Sequence, residues 1–147
     1  MDKKRIGFVS TRFAGTDGVS LEARKWADAF ARLGHDSFWF GGELDTESDR
    51  SLLVPQAFFN AEANLALNSR IFGTQVRTRH VTNTIAASAE FLKDRLYDFL
   101  ERFDIDVLVP QNALAIPMHI PLGIALTEII AETGIPTIAH HHDMWWE

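Results

Sequence analysis

Residues 138–147 read Ile-Ala-His-His-His-Asp-Met-Trp-Trp-Glu, so three histidines, the Asp143 carboxylate beside them and two tryptophans fall within ten positions. A histidine can carry a proton near neutral pH, ligate a metal or donate to a ligand hydroxyl. Side chains alternate along a strand, so His140 and His142 share one face and His141 takes the other. With Asp143, His140 and His142 form a pair of the kind that holds a metal at a strand end in hydrolases. A closed zinc site needs four ligands, however, and His35, His80 and His119 are scattered along the chain. Three roles stand in order of preference: a strand-end histidine that binds substrate or takes part in catalysis, a histidine packed at a sheet edge, and a metal ligand. Trp145 and Trp146 could stack on a sugar or a base, or be covered by another segment.

A second group lies near the start. Gly15-Thr16-Asp17-Gly18 opens a helical stretch. Backbone amides at a helix N-terminus bind anions, and glycine lets a ligand approach the chain closely. The spacing matches neither GxGxxG nor the P-loop. The alternative is a tight turn in which Asp17 or Thr16 caps the helix. A third group is Gln111-Asn112. Their amides could bind a polyhydroxylated ligand or satisfy loop backbone.

These groups need elements to position them. Residues 5–11 are a short apolar run of strand type. Val19, Ala23, Trp26, Ala27, Phe30 and Leu33 then recur at helical spacing, and Gly34 follows as a helix stop. Residues 35–40 read as a second strand and residues 43–50 as an acidic surface loop. Leu52-Leu53-Val54 suggests a short edge strand, and residues 60–72 are weakly helical. Residues 78–103 form the longest helical segment, with Val81, Ile85, Leu92, Leu96, Phe99 and Phe103 as its apolar stripe. Residues 104–109 predict a doubly covered strand. Residues 121–133 predict a buried helix stopped by Gly134, and residues 136–139 a last strand.

Strands alternate with helices, which predicts an α/β fold: an open, doubly wound, Rossmann-like parallel sheet in a single three-layer domain over residues 1–147. Ligands bind such sheets outside the carboxyl ends of the strands. The loops at 13–18, 110–117 and 140–147 all lie there.

Composition narrows the function. The chain of 147 residues can bury a real core, and its net charge of −6 argues against nucleic acid as main partner. It has no cysteine, so disulfides, thiolate metal sites and cysteine nucleophiles are excluded. The charged start leads directly into an apolar strand without a signal-peptide pattern, which predicts a cytoplasmic protein. Residues 107–127 carry no formal charge and are about long enough to span a bilayer. They also hold Pro110, Pro117, Pro121, Gln111, Asn112 and His119, which predicts a buried strand, loop and helix and no transmembrane segment.

The segment "RIGFVSTRFAGTDGVSLEARKWADAFARLGHDSFWFGGELD" resembles the first βαβ unit of family-4, group-1 type glycosyltransferases. The stretch "DIDVLVPQNALAIPMHIPLGIAL" looks like their central strand and loop. "TGIPTIAHHHDMWWE" is similar to their G-x-P strand ending in His-Asp. The resemblance implies the GT-B fold, with two Rossmann-like domains around a cleft. This chain would be the N-terminal, acceptor-side domain, inactive without its donor-binding partner domain. It implies transfer of a sugar from a nucleotide-sugar donor to an acceptor hydroxyl, with retention and without a metal or other cofactor. Carried over by residue, Gly15 and Gly18 line the cleft; the other candidate substrate-binding residues are Thr16, Asp17, Gln111, Asn112 and His140. His142 and Asp143 are the catalytic pair: His142 holds the transferred sugar, and Asp143 orients it or binds acceptor. Asp17 stands where many relatives have glycine, and either His140 or His141 could replace His142. Two other readings stay open: a metal-dependent hydrolase using His140, His142 and Asp143, and a non-catalytic Rossmann-like binding domain.

Overall fold

The structure is a computed structural model that describes residues 2–144. It contains a four-stranded parallel sheet flanked by helices, an α/β fold. The strands are β1 (Arg5–Val9), β2 (Asp36–Gly41), β3 (Ser51–Leu53) and β4 (Val107–Pro110). The helices are α1 (Gly18–Arg32), α2 (Glu62–Ile71), α3 (Arg79–Phe103) and α4 (Ile120–Thr133). Strand order is β3-β2-β1-β4, with Phe8 in register with Trp39 on one side and Val109 on the other.

Alternation along the strands sorts the core onto two faces. Phe8, Trp39 and Val109 point to α1, where they pack with Phe13 and Ala23 and meet Trp26 and Phe30. Val9, Phe38, Phe40 and Leu108 point the other way, onto Leu92, Leu96 and Phe99 of α3 and Leu122, Leu126 and Ile129 of α4. Each such side chain, fully buried, contributes about 1.5–3 kcal/mol of transfer free energy. Gly7 on this second face is required by close packing, since a Cβ there would sit 2.7 Å from the Phe99 ring. Lys93 ties α3 to α4 through Glu128 at 3.0 Å and Glu132 at 3.2 Å, and these carboxylates raise its pKa above the usual lysine value.

The helix ends follow the sequence signals. Gly34 takes φ 88° after α1, and the amide of His35 returns to the carbonyl of Phe30, which closes the helix in a Schellman arrangement. Gly134 caps α4 at φ 65°. The α3 stripe is buried at every expected position. Leu33 departs from expectation and is 63% exposed, because it stands at the α1 C-cap where the helical periodicity ends.

Two strand expectations need adjustment. β4 starts at Val107, not 104, because Asp104 caps α3 in the left-handed region and the Asp106 carboxylate receives the Arg5 amide. Residues 136–140 are bridged to β4 at Leu108–Thr137 and Gln111–His140 without forming a continuous strand. They still run parallel along the β4 edge. Leu108 N–H donates to Pro136 C=O, Ile138 N–H to Leu108 C=O, and His140 N–H to Pro110 C=O. Among the described residues no helix is long and apolar enough to cross a membrane.

Candidate functional site

The carboxyl ends of β1, β4 and the 136–140 segment lie side by side, and the site forms there. Gln111 follows β4 and is held by its amide on the carbonyl of Val9 at 2.8 Å. Its side chain is 1% exposed. The Oε1 atom lies 2.7 Å from Nε2 of His142, and this nitrogen donates to Gln111. The other half of the amide, Nε2, is buried without a partner among the described residues. A buried, unpaired donor costs about 1–3 kcal/mol, which is unusual in a native core.

Asn112 sits at φ 59°, in the left-handed region that asparagine tolerates better than other side-chain-bearing residues. Its Oδ1 accepts from the backbone amides of His142 at 2.7 Å and Asp143 at 3.2 Å. Its Nδ2 donates to the Asp143 carboxylate at 2.6 Å. One side chain therefore folds the 140–143 segment back onto the β4 loop. Asp143 is consequently directed to Asn112, and the group that orients the His142 ring is Gln111.

His140 and His142 do come to one side, with ring centroids 4.2 Å apart. His140 is stacked on Trp26 of α1 at 4.1 Å, and its Nδ1 is buried without a partner among the described residues. Burial first, then the neighbouring His142, push the His140 pKa below the usual imidazole value, against the opposing pull of Glu22. His140 is therefore packed as an edge aromatic, and its ring does not line the cavity described next. Among the described residues no group of three or more His, Asp and Glu is arranged to hold a metal. Trp145 and Trp146 lie outside the described residues.

A cavity of about 260 Å³ opens beside this cluster. Ser10, Thr11, Arg12, Asp17, Gln111, Asn112 and Asp143 form its polar wall, and Val19, Phe59, Ile116 and Met118 its apolar one. His119 completes it. This ring is buried, accepts the Leu122 amide at Nδ1 (3.2 Å) and donates from Nε2 to the Gln56 carbonyl (2.7 Å). It thereby caps α4 as a neutral imidazole, and burial lowers its pKa. Ser10, Arg12 and His119 were not singled out from sequence as site residues. The position of His119, two residues before the helix-opening Pro121, is the signal that could have marked it.

The glycine loop contributes less than its composition suggests. Asp17 is the N-cap of α1: Oδ1 accepts the Ser20 amide at 3.0 Å and Oδ2 the Ser20 hydroxyl at 2.7 Å. Gly15, at φ 71°, gives its amide to the Asp45 carboxylate at 2.8 Å and its carbonyl to Arg24. The Gly15 amide first, and then Arg24, lower the Asp45 pKa. Gly15, Thr16 and Gly18 are exposed and do not line the cavity; of these four loop residues only Asp17 does. The Gly15 turn is thus tied to the loop after β2 through Asp45, while Gly18 opens α1.

No family model matches the chain. Two curated proteins resemble nearly all of it. One is the mannosylglucosylglycerate synthase of Petrotoga mobilis, 25% identical over 144 residues, which covers 97% of this chain and 32% of the relative. The other is the mannosylglucosylglycerate synthase of Thermotoga maritima, 28% identical over 151 aligned positions, again covering 97% of this chain and 32% of the relative. Both are glycosyltransferases. The chain spans about a third of the length of these curated relatives.

Proposed function

We propose that this chain is the acceptor-side, N-terminal domain of a retaining GT-B glycosyltransferase, which moves a sugar from a nucleotide-sugar donor to an acceptor hydroxyl. The observation that carries the reading is the likeness, along 97% of the chain, to two synthases of a glycosidic product. The polar cavity at the carboxyl ends of β1 and β4 supports the acceptor role, because ligands of open α/β sheets bind at that edge.

In this reading the acceptor occupies the cavity, with hydroxyls against Ser10, Asn112 and the Asp143 carboxylate. His142 faces the transferred sugar, with its ring oriented by Gln111. The chemistry rests on position and electrostatics: the acceptor hydroxyl is held beside the anomeric carbon while a second domain carries the nucleotide diphosphate as leaving group. The nucleotide sugar, its diphosphate contacts and the second domain are the parts supplied from outside this chain.

A domain exchange tests it. Residues 1–147 replace the matching third of the Thermotoga maritima synthase, and the chimera and the isolated chain are given nucleotide sugars with a hydroxylated acceptor. Expected is glycoside formation with retained anomeric configuration by the chimera, and no nucleoside diphosphate release by the isolated chain. Turnover by the isolated chain, or a folded chimera that binds donor but transfers to no acceptor, overturns the reading.

A further inference from the structure

A second cavity, of about 510 Å³, lies between α2, α3 and the start of α4. Its size is that of a small-molecule site. Leu67, Leu92 and Pro121 are its buried apolar lining, and Phe91 lies against it with 42% of its surface exposed. Ala63 and Ala87 line its solvent side with small side chains. Among the described residues that line it there is no Asp, Glu, Lys or Arg, and its one histidine, His119, is the neutral cap of α4.

Most polar groups of this cavity are accounted for. His119 is engaged at both nitrogens, by the Leu122 amide and the Gln56 carbonyl. Thr84 Oγ1 donates to the His80 carbonyl at 2.9 Å. Gln56 is exposed and Ser88 half-buried, so both are open to water. Asn64 is different, because it is 4% exposed. Its Nδ2 donates to the carbonyls of Phe59 at 2.8 Å and Met118 at 3.0 Å. Those two bonds fix which end of the amide is nitrogen. The Oδ1 is then left buried without a partner among the described residues. Buried acceptors normally have a donor, so this one calls for a donor from outside the fold. An ammonium would find no carboxylate on this wall, and a carboxylate or phosphate no cation, so a charged ligand would lose its water without compensation.

We infer that this cavity is a second binding site, which takes an uncharged, largely apolar alcohol: the hydroxyl donates to Asn64 Oδ1, and the carbon frame lies on Leu67, Phe91 and Leu92. The site goes beyond the acceptor reading and does not depend on it. Phe59 and Met118, whose carbonyls Asn64 holds, line the polar cavity, so the two cavities stand on opposite sides of one wall.

The test uses three matched probes: benzyl alcohol, benzyl methyl ether, which lacks the donor, and benzoate, which carries a charge. Each is titrated into the 147-residue chain, and the Asn64 side-chain amide and Leu67 methyl resonances are followed by NMR. Expected are saturable shifts with benzyl alcohol, binding at least about threefold weaker for the ether, and about tenfold weaker or more for benzoate. Ala87 is exposed, so Ala87→Trp fills the cavity without entering the core and should abolish the shifts in a chain whose other resonances are unchanged. No saturable shift with the alcohol, or unchanged binding by the folded Ala87→Trp variant, overturns the site. Ether bound as tightly as the alcohol overturns the role of Asn64 Oδ1, and benzoate bound as tightly overturns the preference for an uncharged ligand. Shifts at Leu67 and Phe91 that depend on protein concentration, with no probe added, would put a second copy of the chain on this face and overturn the small-molecule assignment.

Discussion

The loop after β1 and the loop after β4 border one cavity, and each is pinned to chain thirty residues ahead, Gly15 to Asp45 and Asn112 to His142. They differ in what they hold. The first anchors a helix cap, Asp17 on Ser20, and a turn at Gly15 whose carbonyl accepts from Arg24. The second brings His142 and Asp143 to the cavity edge through Gln111 and Asn112, and among the described residues it leaves the Gln111 Nε2 buried without a partner. A loop that positions distant titratable side chains beside a cavity is a better candidate for ligand work than one that caps a helix. The glycine-rich composition that drew attention to the first loop reports its turn geometry.

The sharpest way to break this contrast is Asn112→Ala. It removes three hydrogen bonds to the 142–143 segment and leaves a less tolerant residue at φ 59°. The expected loss is about 2–4 kcal/mol in urea unfolding, with loss of the His142 chemical-shift dispersion. Asn112→Gly should recover the backbone part alone.

His119→Ala comes next, at about 1–3 kcal/mol, since the α4 cap and a buried bond to Gln56 are lost together. Its pH signature is more telling. Burial lowers the His119 pKa, so the unfolded chain takes up the proton first as pH falls. The stability of the neutral ring is present above the unfolded value of 6.5 and is lost as pH drops below it toward the folded value. His140 acts in the same direction. Unfolding midpoints measured at about pH 7.5 and about pH 5.5 should fall for the native chain and fall less for His119→Ala. Equal slopes in the two proteins would remove His119 from the account.

On the first loop, Asp17→Ala should cost about 1 kcal/mol in thermal or urea unfolding and Asp17→Asn only a few tenths, because asparagine caps as well as aspartate. Equal losses would mean that the charge, not the cap, holds the turn. The smallest effect is expected at Gly18. A Cβ there meets nothing within 4 Å, so Gly18→Ala should change the unfolding midpoint by an amount equivalent to no more than about 0.5 kcal/mol. A larger destabilisation would show that the first loop is constrained in ways its local bonds do not explain.

Much of the frame was legible in the residues. Apolar period 3.6 located α1 and α3, and the glycines at 34 and 134 marked real helix ends, because both signals depend on local backbone geometry. The position of the candidate site was legible too, since strand order and loop placement bring the ends of β1 and β4 together. Its internal wiring was not. Nothing in the string says that Asn112 would take a left-handed backbone and bind two amides at 142 and 143, or that His140 would stack on Trp26. Those contacts join residues far apart in sequence, and a pattern of local periodicity carries no information about them.

The sequence by itself determined the α/β order, the two-faced core and the edge of the sheet where a ligand would bind, because period, caps and alternation follow from nearest-neighbour sterics and burial. Only the tertiary structure decided which polar groups remain available at that edge. That depends on which donors and acceptors meet after folding: Asp45 reaches Gly15, Asn112 reaches Asp143, and the Gln111 Nε2 is left without a partner among the described residues.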